Sequence, residues 1–258
     1  MHFTLPIGLD FSGRVLRDVE IVPPTGGLLK RMRDAVTGKD RTAIYQIALS
    51  FGLESIEGMP GKPTREVLGR LCFADVEYVF FRMAELDCAG TWPLVVRTCP
   101  SCDKEFKQEI DLSAVEIISL DGSGKSAFDN EGRSIAFTLK HGITTLDTSG
   151  AAHKSGRLGL ITFDDWVKVM SGKAGIGTSM ARSIAAAIVE LGPAGHGEVT
   201  EADLDCLPAS DTKMLENLYN KNVPGVQFPA EVDCPHCANR FMVPPVDVVS
   251  DFLLRSAV

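Results

Sequence analysis

Two short cysteine motifs constrain this chain more than any other feature of its sequence. The first knuckle, TCPSCDKEF at Thr98–Phe106, and the second knuckle, DCPHCANRF at Asp233–Phe241, both read C-P-x-C, three residues, then Phe. Each motif predicts a β-hairpin whose tight turn directs backbone N–H groups at the sulfurs. Two such hairpins facing each other complete a closed tetrahedral shell around one metal ion. The predicted ligands are Cys99, Cys102, Cys234 and Cys237.

The spacing of the two knuckles is unusual. A compact zinc ribbon separates its cysteine pairs by roughly 15–20 residues, whereas 131 residues lie between Cys102 and Cys234. The sequence therefore predicts that a whole subdomain is inserted between the halves of the site. Closing so long a loop removes a large amount of conformational entropy from the unfolded chain.

The chemistry expected of this site is one structural zinc ion per chain, because four cysteines leave no open position for a reacting water. A rubredoxin-like iron site uses the same ligands and stays open at this stage. Two separate dithiol redox sites need a βαβ context that is missing here. His236, inside the second knuckle, is interpreted as a solvent-facing loop residue, with replacement of one cysteine ligand as the alternative.

Cysteine use and composition indicate a cytoplasmic globular protein. The seven cysteines are an odd number, and the N-terminus lacks the charged and apolar regions of a signal peptide. No run of 18 apolar residues predicts a membrane span. The net charge of −8 disfavours nucleic-acid binding, which needs a basic face.

The pattern of strands and helices predicts an α+β fold in three parts. Residues 1–90 should form a β-hairpin followed by helices. Residues 91–140 together with 224–258 should form a strand-rich, zinc-ribbon-like part with a C-terminal helix. Residues 141–223 should form a mostly helical insertion between the knuckles. No repeat with a period of 20–50 residues is visible, although the two knuckles resemble each other locally.

The insertion carries the least regular sequence. Residues 141–178 include two Gly/Ser-rich stretches that predict flexible connections, with a short helix at TFDDWVKVM between them. A strong helix is predicted from Ser179 to a closing Gly192. Thr200 and Asp203 predict a capping box at the start of the next helix.

Other patterns that resemble catalytic motifs are incomplete in this sequence. The loop at Leu120–Phe128 ends like a phosphate-binding loop, but Ser119 stands where the first glycine is required. The five histidines have no metal-ligand spacing, and Asp164-Asp165 is interpreted as the N-terminus of a helix. Neither a nucleophile elbow nor a Cys–His pair is visible. The chain is therefore predicted not to be an enzyme.

The order of several motifs resembles the T-even phage baseplate hub protein family, also described as baseplate hub assembly chaperones. Its members carry a D-[IV]-E-Y-[LV]-F helix, a strand, a C-P-x-C knuckle and a "DL" strand end. The matching residues here are Asp75–Phe80, Leu94–Arg97, Cys99–Cys102 and Asp111-Leu112. The opening strand pair, a TEADL segment and the closing C-P-x-C also match, whereas Asp251-Phe252-Leu253 stands where relatives often have paired phenylalanines.

This resemblance implies a non-enzymatic phage tail protein that acts in virion assembly at the central hub. Its expected location is the cytoplasm of the bacterial host during assembly, with the finished virion as the alternative. The implied partners are baseplate hub or tape-measure proteins, with neither nucleic acid nor membrane expected. The apolar segments VSDFLLRSAV and GKAGIGTSMARSIAAAIVELG are candidate partner surfaces, and packing on the protein's own core is the alternative for each.

Two other functions remain open from the residues. A zinc-ribbon module for nucleic-acid binding or transcription would need basic knuckles. The first knuckle region instead balances Lys104 and Lys107 against acidic neighbours, and the second offers Arg240. An enzyme that uses the insertion, with Asp164 or His153 in its site, is the weaker alternative.

Overall fold

A computed structural model describes residues 1–37, 41–88, 90–96, 98–120, 126–129, 133–144, 152–171, 176–192, 199–227 and 231–242. These residues form both strands and helices, which confirms the α+β class. The first elements are β1 His2–Phe11, β2 Arg14–Ile21, α1 Gly26–Thr37, α2 Arg41–Gly52, β3 Leu53–Ile56, α3 Arg65–Gly69, α4 Phe73–Asp87, β4 Thr91–Val96, β5 Phe106–Asp111 and β6 Glu116–Ile118. They are followed by β7 Ser134–Thr144, β8 Ala152–Gly159, α5 Phe163–Ser171, α6 Ile176–Ala187, β9 Ile188–Leu191, α7 Glu201–Asp205, α8 Ala209–Asn222, β10 Gly225–Gln227, β11 Glu231–Asp233 and β12 Arg240–Met242.

The chain divides into two compact units. The first holds the described residues of Met1–Leu68, Asp75–Ile118 and Gly225–Val258, and the second holds those of Gly69–Ala74 and Ser119–Pro224. The three-part division expected from the sequence stays a prediction.

The first unit begins with a three-stranded antiparallel sheet in the order β1-β2-β3. Ser12 and Gly13 connect β1 to β2 with φ of 50° and 77°, the two positive values that a two-residue hairpin turn requires. Helix α2 packs on α4, where the rings of Tyr45 and Phe80 meet edge to face at 5.3 Å. The apolar side chains of the sheet and of α4 are buried together with these rings, and they form the core of this unit.

Three short antiparallel pairs complete the first unit. Strand β4 pairs with β5, β6 with β10, and β11 with β12. The β4–β5 and β11–β12 pairs flank the two knuckles, so each knuckle is a hairpin, as the sequence predicted.

The second unit contains another three-stranded antiparallel sheet, in the order β7-β8-β9. Its core includes the stacked rings of Phe73 and Trp166, with centroids 4.6 Å apart, and a T-shaped contact between Phe128 and Tyr219. Thr200 and Asp203 form the predicted capping box at the start of α7.

Two expectations for the insertion are wrong. The helix predicted to reach Gly192 ends at Ala187, and Ile188–Leu191 forms strand β9. The β-branched Ile188 and Val189 fit a strand because their χ1 freedom is restricted in a helix. The Gly/Ser-rich segment before α5 was expected to be irregular, yet Ala152–Gly159 forms β8, the central strand of its sheet. The predicted C-terminal helix lies outside the described residues.

Candidate metal centre

The first knuckle is held by backbone hydrogen bonds of its own turn. The Cys99 N–H donates to the carbonyl of Lys104 at 3.0 Å, and the Asp103 N–H donates to the Cys99 carbonyl at 2.9 Å. Asp103 adopts φ of 54°, which reverses the chain directly after the second cysteine. The Ser101 N–H lies 3.4 Å from the Cys99 sulfur, so a backbone donor is directed at a ligand atom.

The second knuckle repeats this geometry. The Cys234 N–H donates to the carbonyl of Asn239 at 2.9 Å, and the Ala238 N–H donates to the Cys234 carbonyl at 2.8 Å. Ala238 adopts φ of 56° at the position that matches Asp103. The two motifs therefore encode the same loop, although only their cysteines, proline and phenylalanine are identical.

The structure brings the four predicted ligands together. The sulfurs of Cys99, Cys102, Cys234 and Cys237 all lie within 4.8 Å of one another. Cys99 Sγ is 3.7 Å from Cys237 Sγ, and Cys102 Sγ is 3.7 Å from Cys234 Sγ. All four are free thiols. A disulfide would need a sulfur separation of about 2.05 Å.

These separations fit a tetrathiolate metal ion. A zinc–sulfur distance of about 2.3 Å places the corners of a regular tetrahedron about 3.8 Å apart. The two cross-knuckle pairs already have that separation. Cys99 and Cys234 are buried, Cys102 is half-buried and Cys237 is exposed, so the group is closed on one side by protein. The four cysteines can therefore bind a metal such as zinc.

The four cysteines shift the pKa values of one another's thiols. Burial opposes ionisation of Cys99, but the N–H groups of Ser101 and Cys102 and the thiols of Cys234 and Cys237 outweigh it and lower the pKa of Cys99 to about 7. For Cys102, the Lys104 N–H favours the thiolate. Burial and hydrogen bonds with the other three cysteines nevertheless raise the pKa of Cys102 to about 12. Without a cation, one thiolate suppresses the next, and a bound metal would displace the remaining protons.

Contacts between the knuckles extend beyond the sulfurs. Phe106 and Phe241, the matching phenylalanines, meet edge to face with centroids 6.1 Å apart. His236 Nε2 lies 3.3 Å from the carbonyl oxygen of Glu105. The imidazole thus contacts the backbone of the other knuckle and is not one of the four clustered ligands, in agreement with its interpretation as a loop residue.

The remaining cysteines lie apart from this cluster. Cys72 is buried where its backbone bridges to Thr162 in the second unit, and Cys206 is exposed. Burial, together with the charge of Asp87, raises the pKa of the Cys88 thiol.

Asp164 and Asp165 lie in the first turn of α5, as predicted. Asp165 accepts hydrogen bonds from the hydroxyl of Thr162 at 2.6 Å and from Lys168 at 3.0 Å. Most of Leu120–Phe128 and all of VSDFLLRSAV lie outside the described residues.

Sequence reasoning missed two buried aspartates. Asp75 accepts from the backbone N–H groups of Ile7 and Gly8 at 2.9 and 2.8 Å. Asp211 accepts from those of His141 and Gly142 at 2.8 and 3.3 Å. Each lies in the first turns of a helix, a common place for an exposed aspartate, so only the tertiary structure distinguishes them.

Comparisons of this chain with protein-family models, with curated proteins and with solved structures find no match. Among the described residues, every helix is too short or too polar to cross a bilayer.

Proposed function

We propose that this chain is a non-enzymatic protein of phage tail assembly, a baseplate hub component or hub assembly chaperone, whose fold is held by one structural zinc ion. The observation that carries the zinc site is the convergence of two knuckles 131 residues apart in sequence. Cys99, Cys102, Cys234 and Cys237 would hold the ion, and the ion would supply cross-linking rather than chemistry.

A structural role for the metal follows from the donor set. Four thiolates satisfy the tetrahedral preference of zinc and leave no position for water or substrate. The buried Cys99 and Cys234 anchor one ligand of each knuckle inside the protein. Because the ligands come from distant parts of the chain, a bound ion stabilises the folded state against the unfolded chain.

The tail role is supported by the motif order that resembles the hub family. In this chain the D-V-E-Y-V-F motif at Asp75–Phe80 contributes directly to the core. Asp75 is fully buried on the backbone of β1, and Tyr78 and Phe80 are buried on α4. A motif that determines the fold persists between proteins whose surfaces differ, so it is a suitable basis for a resemblance. The implied partners are hub or tape-measure proteins, met in the cytoplasm of the infected cell.

The electrostatics of the knuckles favour this proposal over a nucleic-acid module. Arg240 forms a bidentate ion pair with Asp233, at 2.8 and 3.0 Å, within the second knuckle. In the first, exposed Lys104 and Lys107 stand among exposed Asp103, Glu105 and Glu109. Phosphate binding requires an excess of positive charge that these hairpins do not offer.

The zinc site is tested by elemental analysis of the purified full chain together with native mass spectrometry. The expected result is one zinc per chain that is released only when the protein unfolds. Cys99→Ser should remove the metal, whereas Cys206→Ser, a matched change at an exposed cysteine outside the cluster, should retain it. Wild-type protein that binds no metal, or that holds iron with the spectrum of a rubredoxin site, would refute structural zinc.

The tail role is tested separately, by deleting the gene from the phage genome that encodes it. The expected result is filled heads without complete tails, with rescue by the wild-type gene supplied in trans. Antibody detection in purified particles distinguishes a hub component, which stays, from a chaperone, which leaves. Normal tails after deletion would refute the assembly role and leave the zinc result untouched.

A further inference from the structure

Two long segments of this chain have the same order of described elements. Strands β1 and β2, helices α1 and α2, strand β3 and helices α3 and α4 make up the first module, His2–Asp87. Strands β7 and β8, helices α5 and α6, strand β9 and helices α7 and α8 make up the second module, Ser134–Asn222. In both, the second helix runs directly into the third strand, a five-residue helix follows, and a helix of 15 or 14 residues ends the series.

The two sheets share their register down to the irregularities. In the first module the pairing of the outer hairpin shifts between Thr4 and Leu9, and in the second it shifts between Thr138 and Ile143. The pairing with the third strand shifts again, between Glu20 and Ile21 in one and between Arg157 and Leu158 in the other. Bulges are particular features of a strand pair, so two matching bulges are stronger evidence than two matching sheets.

The first bulge has the same two residues in both modules, a glycine in the bulge and a buried aspartate that accepts its N–H. Gly8 and Gly142 adopt φ of 85° and 97°, which side chains rarely allow. An added Cβ would also lie 2.8 Å from a backbone oxygen at Gly8 and 2.9 Å from one at Gly142. Asp75 and Asp211 each accept the N–H of that glycine and of the residue before it. A buried carboxylate therefore satisfies two N–H groups that the bulge leaves unpaired.

Short stretches of sequence agree with this correspondence. The strands read FTLPIGL at Phe3–Leu9 and FTLKHGI at Phe137–Ile143. Thr25 and Thr162 cap the first helix of each module, where their hydroxyls accept from Leu28 N–H at 3.3 Å and from Asp165 N–H at 3.2 Å. The matching residues lie 134 to 137 positions apart in the sequence.

The knuckles continue the same spacing. Cys99, Cys102 and Phe106 are each followed, 135 positions later, by Cys234, Cys237 and Phe241. The first cysteine of each knuckle pairs with the second cysteine of the other, at 3.7 Å in both directions. The two phenylalanines contact each other. Contacts in which residue i meets j and j meets i are the mark of a twofold, homodimer-like interface.

We infer that the chain is a tandem duplication of one module that carries a single knuckle, and that its metal centre is a twofold pair of equivalent half-sites. The helix caps, the bulges with their aspartates, and the knuckles are separate features, and all of them recur after 134 to 137 positions. One copy alone supplies two thiolates. A protein with a single copy would therefore complete the site only with a second copy of itself, and fusion in one chain supplies that copy permanently.

The inference is tested by exchanging the knuckles in the full-length chain. Five positions differ between them, so the exchanged variant carries T98D, S101H, D103A, K104N and E105R with D233T, H236S, A238D, N239K and R240E. Changes around metal ligands often weaken affinity by about 10–100-fold. Equivalent half-sites should bind one metal per chain with affinity within about threefold of wild type. The Cys102→Ser variant provides the reference for loss of the site.

Circular dichroism shows whether the variant with exchanged knuckles is folded. If it is folded and binds no metal, or binds it more than about 100-fold more weakly, the half-sites are not equivalent.

The aspartates give a second readout that needs no metal, namely amide hydrogen exchange of the variants Asp75→Asn and Asp211→Asn. Asp75→Asn should accelerate exchange at Ile7 and Gly8 by about tenfold more than at neighbouring strand amides, and Asp211→Asn should do so at His141 and Gly142. If only one variant does so, the modules are not equivalent. A wild-type chain without metal would refute the zinc proposal and leave this readout decisive for the duplication.

Discussion

The two modules differ around the phenylalanine that begins each FTL stretch. Phe3 faces Val19 across the hairpin and is half-buried, with the guanidinium of Arg82 5.1 Å from its ring centroid. Phe137 faces Gly156 and is buried. A Cβ at Gly156 would lie 2.6 Å from the Phe137 ring, which therefore fills the space that a side chain on the neighbouring strand would need.

This difference shows which features the modules can vary. The residue that faces the phenylalanine differs, valine in one module and glycine in the other, and the pairing of the strands is retained. The bulge glycines and their aspartates are the same in both modules, because a Cβ at either glycine would meet a backbone oxygen and each carboxylate satisfies two buried N–H groups. We infer that backbone requirements hold the two modules alike while their packing diverges.

The largest expected effect comes from breaking either half of the metal centre. Cys99→Ser and Cys234→Ser should each abolish stoichiometric metal and lower the free energy of unfolding by on the order of 5 kcal/mol. This is less than the 10–16 kcal/mol that zinc gives to zinc-finger peptides, because this chain has a core of its own. Thermal unfolding with metal analysis measures both effects. Equal losses support equivalent half-sites, and metal retained by either variant contradicts the four-cysteine centre.

The second effect concerns the bulge aspartates. Asp75→Ala leaves two buried N–H groups without their acceptor and should destabilise the protein by about 3 kcal/mol. Asp211→Ala should cost about 2 kcal/mol, because one of its two hydrogen bonds is longer, at 3.3 Å. Urea denaturation measures both, with Asp34→Ala, the same change at an exposed aspartate of α1, as the control. If either buried variant loses no more stability than the control variant, the hydrogen bonds of that aspartate do not stabilise the bulge.

The third prediction tests why the residue that faces Phe137 is a glycine. Gly156→Val makes the second module resemble the first, but the new side chain would meet Phe137 and the carbonyl oxygen of Glu190. It should destabilise the protein by about 2–3 kcal/mol. Adding Phe137→Leu should recover part of that loss, since the smaller side chain frees space. If the double variant is no better than Gly156→Val alone, the ring is not what excludes a side chain there.

The smallest expected effect is a dependence of the free energy of unfolding on pH. Desolvation opposes ionisation of Asp211, but the N–H groups of His141 and Gly142 lower its pKa below the ordinary value. A carboxyl with a lowered folded-state pKa contributes stability above the unfolded-state pKa of about 3.9 and loses it as the pH falls further. The stability difference between wild type and Asp211→Asn should therefore be constant near neutral pH and shrink below about pH 4. A difference that does not change with acidity would contradict an ionised Asp211.

The sequence predicted those parts that depend on local chemistry. The cysteine pair of each knuckle, the capping box at Thr200 and the helix start at Asp164-Asp165 each rest on residues close together in the chain. Such features need no knowledge of tertiary contacts.

The errors arose where distant residues decide the structure. Strand β8 contains Ser155, Gly156 and Gly159, poor strand formers on their own. Gly156 is needed because the carbonyl oxygen of Glu190 and the Phe137 ring occupy the space of a side chain there. The apolar run after Ile184 fits a helix or a buried strand equally well until its pairing with β8 is known. The modules escaped a search for repeats because the period is long and the shared residues are few.

The 135 positions between matching cysteines also impose a delay during synthesis. Ribosomes add about 5–20 residues per second, so the first knuckle emerges roughly 7–27 seconds before the second. For that interval Cys99 and Cys102 are two thiols without their partners, accessible to oxidants, to stray metal ions and to knuckles of neighbouring nascent chains. Metal loading is therefore a late event in the life of the chain, and polysomes crowded with half-made copies are where wrong pairings between chains would begin.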